Sequence, residues 1–402
     1  MDRSKHATSR WPGRTRAIEP PPIARLNAMA SGLRASGADL IDLGQAVLGL
    51  PPPVDALAAV VEWMGHRAPQ TYSPDPGLPD VREAVACFLD EQKGIPGGTE
   101  GKRALPLLTC GCNQAYATAV LAVTKPGDEV IVLSPYYFDH VFAIQLAGCR
   151  AVDVPLRFDG TGFRIDFDGL EQAITRRTRA ITLVSPGNPT ASVATRDEVE
   201  HLVRICSSQG LWLFSDETYD LLTQPPVQAV SPAAVSDCER IVTMGSFSKT
   251  FGLAAWRIGY VHGSARFTDE ALKVQDALVV CAPVPAQRAV VGALAALPAW
   301  LPALRAELAS RHAALLAGLR TISWLAPVAA EGGTFLLARY NGFSDSLACC
   351  IALLEQAGVV TVPGAAFGPS GDPFVRFSFG NQPVPRLVEA VERIRTMPAV
   401  SG

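Results

Sequence analysis

Between residues 114 and 262 the chain alternates short runs rich in β-branched residues with longer stretches of helical pattern. Strand candidates fall at 129–134, 180–185, 211–216, 241–246 and 258–262, with helix candidates at 114–124, 139–147, 168–175 and 196–209. Alternation of this kind predicts an α/β unit built on a mostly parallel sheet. Such sheets bind ligands beyond the carboxyl ends of their strands, and this chain gathers its distinctive polar residues at those positions.

A long apolar-periodic stretch, 286–319, then interrupts the alternation. Pro298 and Pro302 inside it predict a kink or a split. Short strands at 334–339 and 374–379 and helices at 347–356 and 385–396 predict a second, smaller α+β domain. Residues 17–45 are expected to join that domain, because the large sheet begins later. The expected division is a flexible arm at 1–16, a large domain at 46–290, and a small domain made of 17–45 and 291–402.

With 402 residues, 48% of them hydrophobic, the chain can bury a core of more than one domain. A net charge of -3 gives no electrostatic case for nucleic acid or an anionic membrane. No apolar run reads as long enough to span a bilayer. The arm carries Arg3, Lys5, Arg10, Arg14 and Arg16 without the apolar stretch of a secretory signal; a loose solvated arm is preferred over a transit peptide. The nine Cys lack the spacing of a disulfide framework, and neither they nor the scattered His pair up as metal ligands. Structural thiols in a reducing cytoplasm are expected.

The most telling segment is Ser246-Phe247-Ser248-Lys249-Thr250-Phe251, followed by Arg257. A phosphate-binding P-loop needs Gly immediately before the Lys and six residues before it; Ser248 and Thr243 stand there. A Lys at a strand end can instead form an imine with a carbonyl, while nearby hydroxyls and an Arg fork hold a phosphate. That pairing suggests pyridoxal phosphate. The cofactor's pyridine nitrogen needs a buried carboxylate, and Asp216 ends an apolar strand. Its phenolic oxygen needs donors, for which Asn188 and Tyr219 stand after strands. Its phosphate suits a helix start, and Cys110-Gly111-Cys112-Asn113 leads into an Ala-rich helix. Arg257 adds a fork that Lys cannot copy, and Tyr136 or Tyr137 can cover the ring. Each residue alone has a bland reading as a turn, cap or core side chain.

Together, Gly111-Cys112-Asn113-Gln114-Ala115, Pro135-Tyr136-Tyr137, Asn188-Pro189, Asp216-Glu217-x-Tyr219, Ser246-x-Ser248-Lys249 and Arg257-x-Gly259 resemble the class I/II aminotransferases, fold type I enzymes dependent on pyridoxal phosphate. The resemblance runs from about Ile41 to Arg376. It implies a mostly parallel seven-stranded sheet flanked by helices. It implies that Lys249 holds the cofactor as an imine and shuttles a proton, that Asp216 pairs with the pyridinium, and that Asn188 and Tyr219 bond the phenolic oxygen. Tyr137 matches the ring-stacking position; Cys112, Asn113, Ser246, Ser248 and Arg257 match phosphate contacts. Tyr72 matches a tyrosine that reaches the neighbouring subunit's phosphate, which implies a homodimer with shared sites. Arg376 resembles the clamp on the substrate carboxylate, and Gly44 falls in the N-terminal substrate loop.

The substrate edge departs from the family pattern. Gly44-Gln45-Ala46 replaces the usual Gly-x-Pro, Ala191 the Gly after Asn-Pro-x, and Ala255 the Gly before the phosphate Arg. The stretch 275–283 offers no Arg for a second carboxylate, which disfavours aspartate; Asp276 reads as a solvated helix residue. The implied activity is transfer of an amino group from an L-amino acid to a 2-oxo acid. The alternative is a lyase, cyclase or decarboxylase on the same cofactor. A regulator with a DNA-binding domain is disfavoured, because about 40 residues precede the match, too few for a domain.

Overall fold

The computed structural model describes residues 13, 15, 18, 22–66, 71–96 and 104–397. The arm expected at 1–16 therefore lies outside the described residues, apart from two isolated positions. Seven strands form the central sheet: β1 (Leu107–Thr109), β2 (Glu129–Ser134), β3 (Arg150–Pro155), β4 (Thr178–Val184), β5 (Trp212–Asp216), β6 (Ile241–Ser246) and β7 (Gly259–His262). Their order is β1-β7-β6-β5-β4-β2-β3. All pairings are parallel except those of β7, which runs antiparallel to β1 and β6. The mostly parallel seven-stranded sheet is thus present. Two of its strands escape a sequence reading. β1 has three residues, and β3 is an edge strand whose side chains are mostly not buried.

The central strands read as unbroken apolar runs because helices cover both faces of the sheet. Ile131, Ile181, Leu213 and Ile241 enter one core, while Val130, Val132, Phe214 and Val242 enter the other. That split follows from the two-residue period of a strand. Five helices bear on the site: α1 (Ile23–Ala35), α2 (Val54–Gly65), α3 (Cys112–Val123), α4 (Phe138–Leu146) and α5 (Val284–Leu319).

A smaller antiparallel sheet follows: β8 (Leu325–Pro327), β9 (Phe335–Tyr340), β10 (Val362–Pro363) and β11 (Phe374–Ser378), in the order β8-β9-β11-β10. A third core lies against it, with Leu26 and Ala30 of α1 among its buried residues. Ile41 and Asp42 pair in parallel with Val359 and Val360, which ties the beginning of the described chain to its end.

The helix α5 overturns two expectations, a split at its prolines and the lack of an apolar run of membrane-spanning length. It is continuous over 36 residues with Pro298 and Pro302 inside it. Both prolines are exposed and stand four residues apart, on the water side. Carbonyls that lose an N–H partner there can bond to water, so the usual penalty is reduced. By length and composition α5 could also cross a bilayer, contrary to the expectation that no run is long enough. Instead it spans two cores. Leu297 and Leu301 pack in one, and Leu308, Leu315 and Leu319 in the other.

Gly292 sets the approach of α5 to α2. A Cβ there would lie 2.0 Å from the Asp55 carbonyl oxygen and 2.9 Å from Ala56 Cα. Gly292→Ala must push the helices apart, an overpacking cost of about 1–3 kcal/mol. The expected result is a thermal midpoint several degrees lower; an unchanged midpoint would contradict the close approach.

Candidate active site

Register places the ends of five strands along one edge. Asp216, last in β5, sits opposite Val184 of β4 and Met244 of β6. Ser246, last in β6, sits opposite Gly259, and Gly259 opposite Thr109. Because β7 runs the other way, its first residue joins the last residues of its neighbours. Beyond this edge opens a cleft of about 360 Å³. Gly44, Cys112, Asn113, Tyr137, Asn188, Asp216, Tyr219, Ser246, Ser248, Lys249, Arg257 and Arg376 line it as expected from the sequence, whereas Tyr72 and Tyr136, the alternative ring cover, do not. Tyr72 is 80% exposed and stands elsewhere, beside Trp63, Cys281 and Pro283.

Asp216 is buried at the floor. One carboxylate oxygen accepts from the Thr218 backbone N–H at 3.0 Å, and the other lies 3.1 Å from His140 Nε2. Burial alone would raise its pKa, but His140 and Thr218 together bring it below the usual carboxylate value. Asp216 therefore stays ionised at neutral pH. A sequence reading misses His140, which sits one turn into α4, buried and stacked on Tyr116 with centroids 3.9 Å apart. Its only sequence signal is its position three residues after Tyr137, at the start of a helix next to the site.

Lys249 lies in the short helix Phe247–Thr250 that begins where β6 ends, with Ser246 accepting from the Ser248 N–H at 3.1 Å. Its Nζ donates to the Ala46 carbonyl at 2.7 Å. Burial first, then the positive charges of Arg376 and Arg257, lower its pKa to about 8, against a smaller upward pull from Asp216. Below pH 8 the folded protein holds this proton less tightly than the unfolded chain, so ionised Lys249 costs stability there. That cost is relieved as pH rises from about 8 towards the ordinary lysine value. A neutral amine attacks a carbonyl, so cofactor-free protein should capture an aldehyde at Lys249 at a rate that rises with pH and levels near 8. Stopped-flow absorbance would show it; a rise continuing past pH 10 would contradict the depressed value.

The anion-binding end forms around the start of α3. Gly111 has φ +82° and a Cβ there would lie 2.5 Å from Arg257 Nη2, so only glycine lets the guanidinium lie against the turn. Arg257 itself adopts a left-handed backbone, φ 53°, and donates to the carbonyls of Ala254 at 3.1 Å and Cys110 at 3.4 Å. The free N–H groups of the first helical turn and the Ser246 and Ser248 hydroxyls complete the cradle. Asn113 turns its side chain to Asp139, which also accepts from the Tyr137 hydroxyl at 2.6 Å.

At the other end, Arg376 is buried between Phe335 and Phe367, 5.1 Å from each ring centroid. It donates to Asn188 Oδ1 at 2.8 Å and to the Gly44 carbonyl at 2.6 Å, and its Nε is buried without a partner. Tyr219 is buried edge-on to Phe335, and burial raises its pKa. Among the described residues no carboxylate pairs with Lys249, Arg257 or Arg376. Of the two carboxylates among the described lining residues, Asp42 is paired with Arg34, so three cations face Asp216 alone and make a cleft suited to anions.

These residues fit pyridoxal phosphate: a cradle for its phosphate, an ionised carboxylate for its ring nitrogen, and a readily deprotonated amine for its aldehyde. Bound there, the group would supply an electron sink for charge developing at a substrate carbon. Asp216 is suited to hold a proton on the ring nitrogen, Arg376 to fix a carboxylate, and Lys249 Nζ to take and return a proton.

The family model for aminotransferase class I and II matches residues 38–394. A probable N-succinyldiaminopimelate aminotransferase of Mycobacterium tuberculosis is 33% identical over 349 residues, 86% of this chain and 85% of that protein. An aromatic aminotransferase of Arabidopsis thaliana is 28% identical, covering 95% of this chain and 94% of that protein. Among solved structures, a single mutant of Thermus thermophilus aspartate aminotransferase aligns with a TM-score of 0.89 at 30% identity, over 97% of this chain and 99% of that one. This chain belongs to the class I and II aminotransferases, enzymes that transfer amino groups.

Proposed function

We propose that the enzyme carries pyridoxal 5'-phosphate on Lys249 and uses it to move an amino group from an L-amino acid to a 2-oxo acid. The observation behind this reading is the convergence in one cleft of a lowered-pKa lysine, an ionised buried aspartate and two arginines without acid partners. Asp216 keeps the ring nitrogen protonated, while Asn188 and Tyr219 bond the phenolic oxygen. Cys112, Asn113, Ser246, Ser248 and Arg257 hold the phosphate, and Tyr137 covers the ring. Arg376, held by Asn188 and Gly44, takes the substrate carboxylate.

In the same reading, residues 46–290 carry the cofactor, and 17–45 with 291–402 form the smaller domain. The pairing of Ile41 and Asp42 with Val359 and Val360 supports that division. The working unit is a homodimer, in which Tyr72 serves the neighbouring subunit's phosphate. In support, Tyr72 projects into solvent near an apolar stripe on α2, where Val54, Val61 and Met64 are each more than 60% exposed. The nine free cysteines suit a reducing cytoplasm.

Borohydride reduction of the cofactor-loaded protein, followed by peptide mapping, tests the attachment. A pyridoxyl tag on the peptide containing Lys249 is expected. A tag on Lys93 or any other lysine would overturn the assignment.

A further inference from the structure

Among the described residues, the proposed chemistry uses four of the five charged side chains that line the cleft: Asp216, Lys249, Arg257 and Arg376. The fifth, Asp42, is already engaged. Arg34 Nη2 donates to it at 3.0 Å and the Gly44 N–H at 2.9 Å. The other described residues of the wall are uncharged. Asn27 and Gln45 stand exposed at the rim, and Thr361 turns its hydroxyl to Cys350 Sγ at 3.2 Å.

Beside that wall lies a small apolar cluster separate from the three large cores. Val362, Ala366 and Phe367 are its buried part, with half-buried Ile23 and Phe138 packed on it. Ile23 is the first residue of α1 and Phe138 the first of α4, so the cluster joins the two halves of the molecule across the cleft mouth. Ile23, Phe138 and Val362 all face the cleft. The cluster also touches the carboxylate clamp. Phe367 lies 5.1 Å from the Arg376 guanidinium on one side and 6.0 Å from the Phe138 ring on the other.

We infer that Ile23, Phe138 and Val362 form the substrate side-chain subsite, and that it selects aromatic or large aliphatic amino acids over those with a second carboxylate. The inference rests on the reading of Arg376 as the carboxylate clamp. A substrate anchored there has this cluster two ring contacts away. An apolar side chain covers Ile23 and Phe138 from water, which is favourable in proportion to the area removed. A second carboxylate would meet the same surface, where the described residues lining the cleft offer no cation beyond those already assigned.

The test is calorimetric binding of three unreactive acids to the cofactor-loaded protein: propanoate, 3-phenylpropanoate and succinate. Cofactor loading is read first from visible absorbance, so a failed cofactor assignment is seen before any acid is added. The expected order is 3-phenylpropanoate at least tenfold tighter than propanoate, with succinate no tighter than propanoate. Phe138→Ala should erase about tenfold of the phenyl advantage and leave propanoate unchanged. Ile23→Arg should invert the preference towards succinate. Succinate binding tighter than 3-phenylpropanoate in the unaltered protein would overturn the inference. So would equal binding of all three acids, or a phenyl advantage that survives both substitutions. Loss of all binding in Arg376→Ala, with the native order intact, supports both readings; native-strength binding in that variant strikes the clamp instead.

Discussion

Lys249→Ala should leave a folded protein that still binds pyridoxal phosphate but has lost covalent attachment and almost all amino transfer. The two effects separate because different residues carry them. Arg257, the first turn of α3 and Asp216 remain to hold the phosphate and ring. The amine that captures the aldehyde and returns the proton is gone. Proton transfer by a placed side chain is worth roughly 10²–10⁴-fold in rate, so a loss of at least that size is expected. The fold should tolerate the change, since Nζ makes a single bond, to the Ala46 carbonyl. Removing a cation with a depressed pKa also relieves a cost present below pH 8. Thermal midpoint, cofactor absorbance and single-turnover rate together test this. Turnover within tenfold of the native rate would contradict the role.

Arg376→Ala should act on the substrate and spare the cofactor. Among the described residues its guanidinium is the only donor to Asn188 Oδ1 and to the Gly44 carbonyl, and its Nε has no partner. Losing one member of a buried charged pair costs about 2–5 kcal/mol, or roughly 30- to 5000-fold in kcat/KM. Arg376→Lys should restore little, because a compact ammonium cannot keep both carbonyl contacts and still meet a carboxylate with two parallel bonds. Cofactor absorbance should stay near native in both variants. Colour loss in Arg376→Ala would make Arg376 a cofactor residue.

Much of this was legible in the chain because strands and their ends carry strong local signals. The five strands expected from β-branched runs are present with ends shifted by no more than two residues, and the helix at 196–209 begins and ends as its pattern indicates. Those ends place Asp216, Ser246 and Lys249, so the proposed cofactor end of the cleft could be read from the chain. The parts that escaped depend on tertiary context. β1 is too short to show a period, and β3 is an edge strand with little buried surface. The prolines of α5 look like breaks until their exposure is known. His140 and Asp139 gain meaning only because α4 lays its first turn against Asp216 and Asn113. Tyr72 is 80% exposed and lies outside its own cleft, so its proposed role has no contact among the described residues to carry it.

The most direct test of the amino-transfer reading is a single half-reaction. Cofactor-loaded protein is mixed with phenylalanine in the absence of any 2-oxo acid, and absorbance and free ammonia are followed together. Conversion to a stable pyridoxamine form with one equivalent of the 2-oxo acid, and no ammonia, is the predicted result. Continued ammonia or carbon dioxide release without an acceptor would contradict it and identify a lyase or decarboxylase.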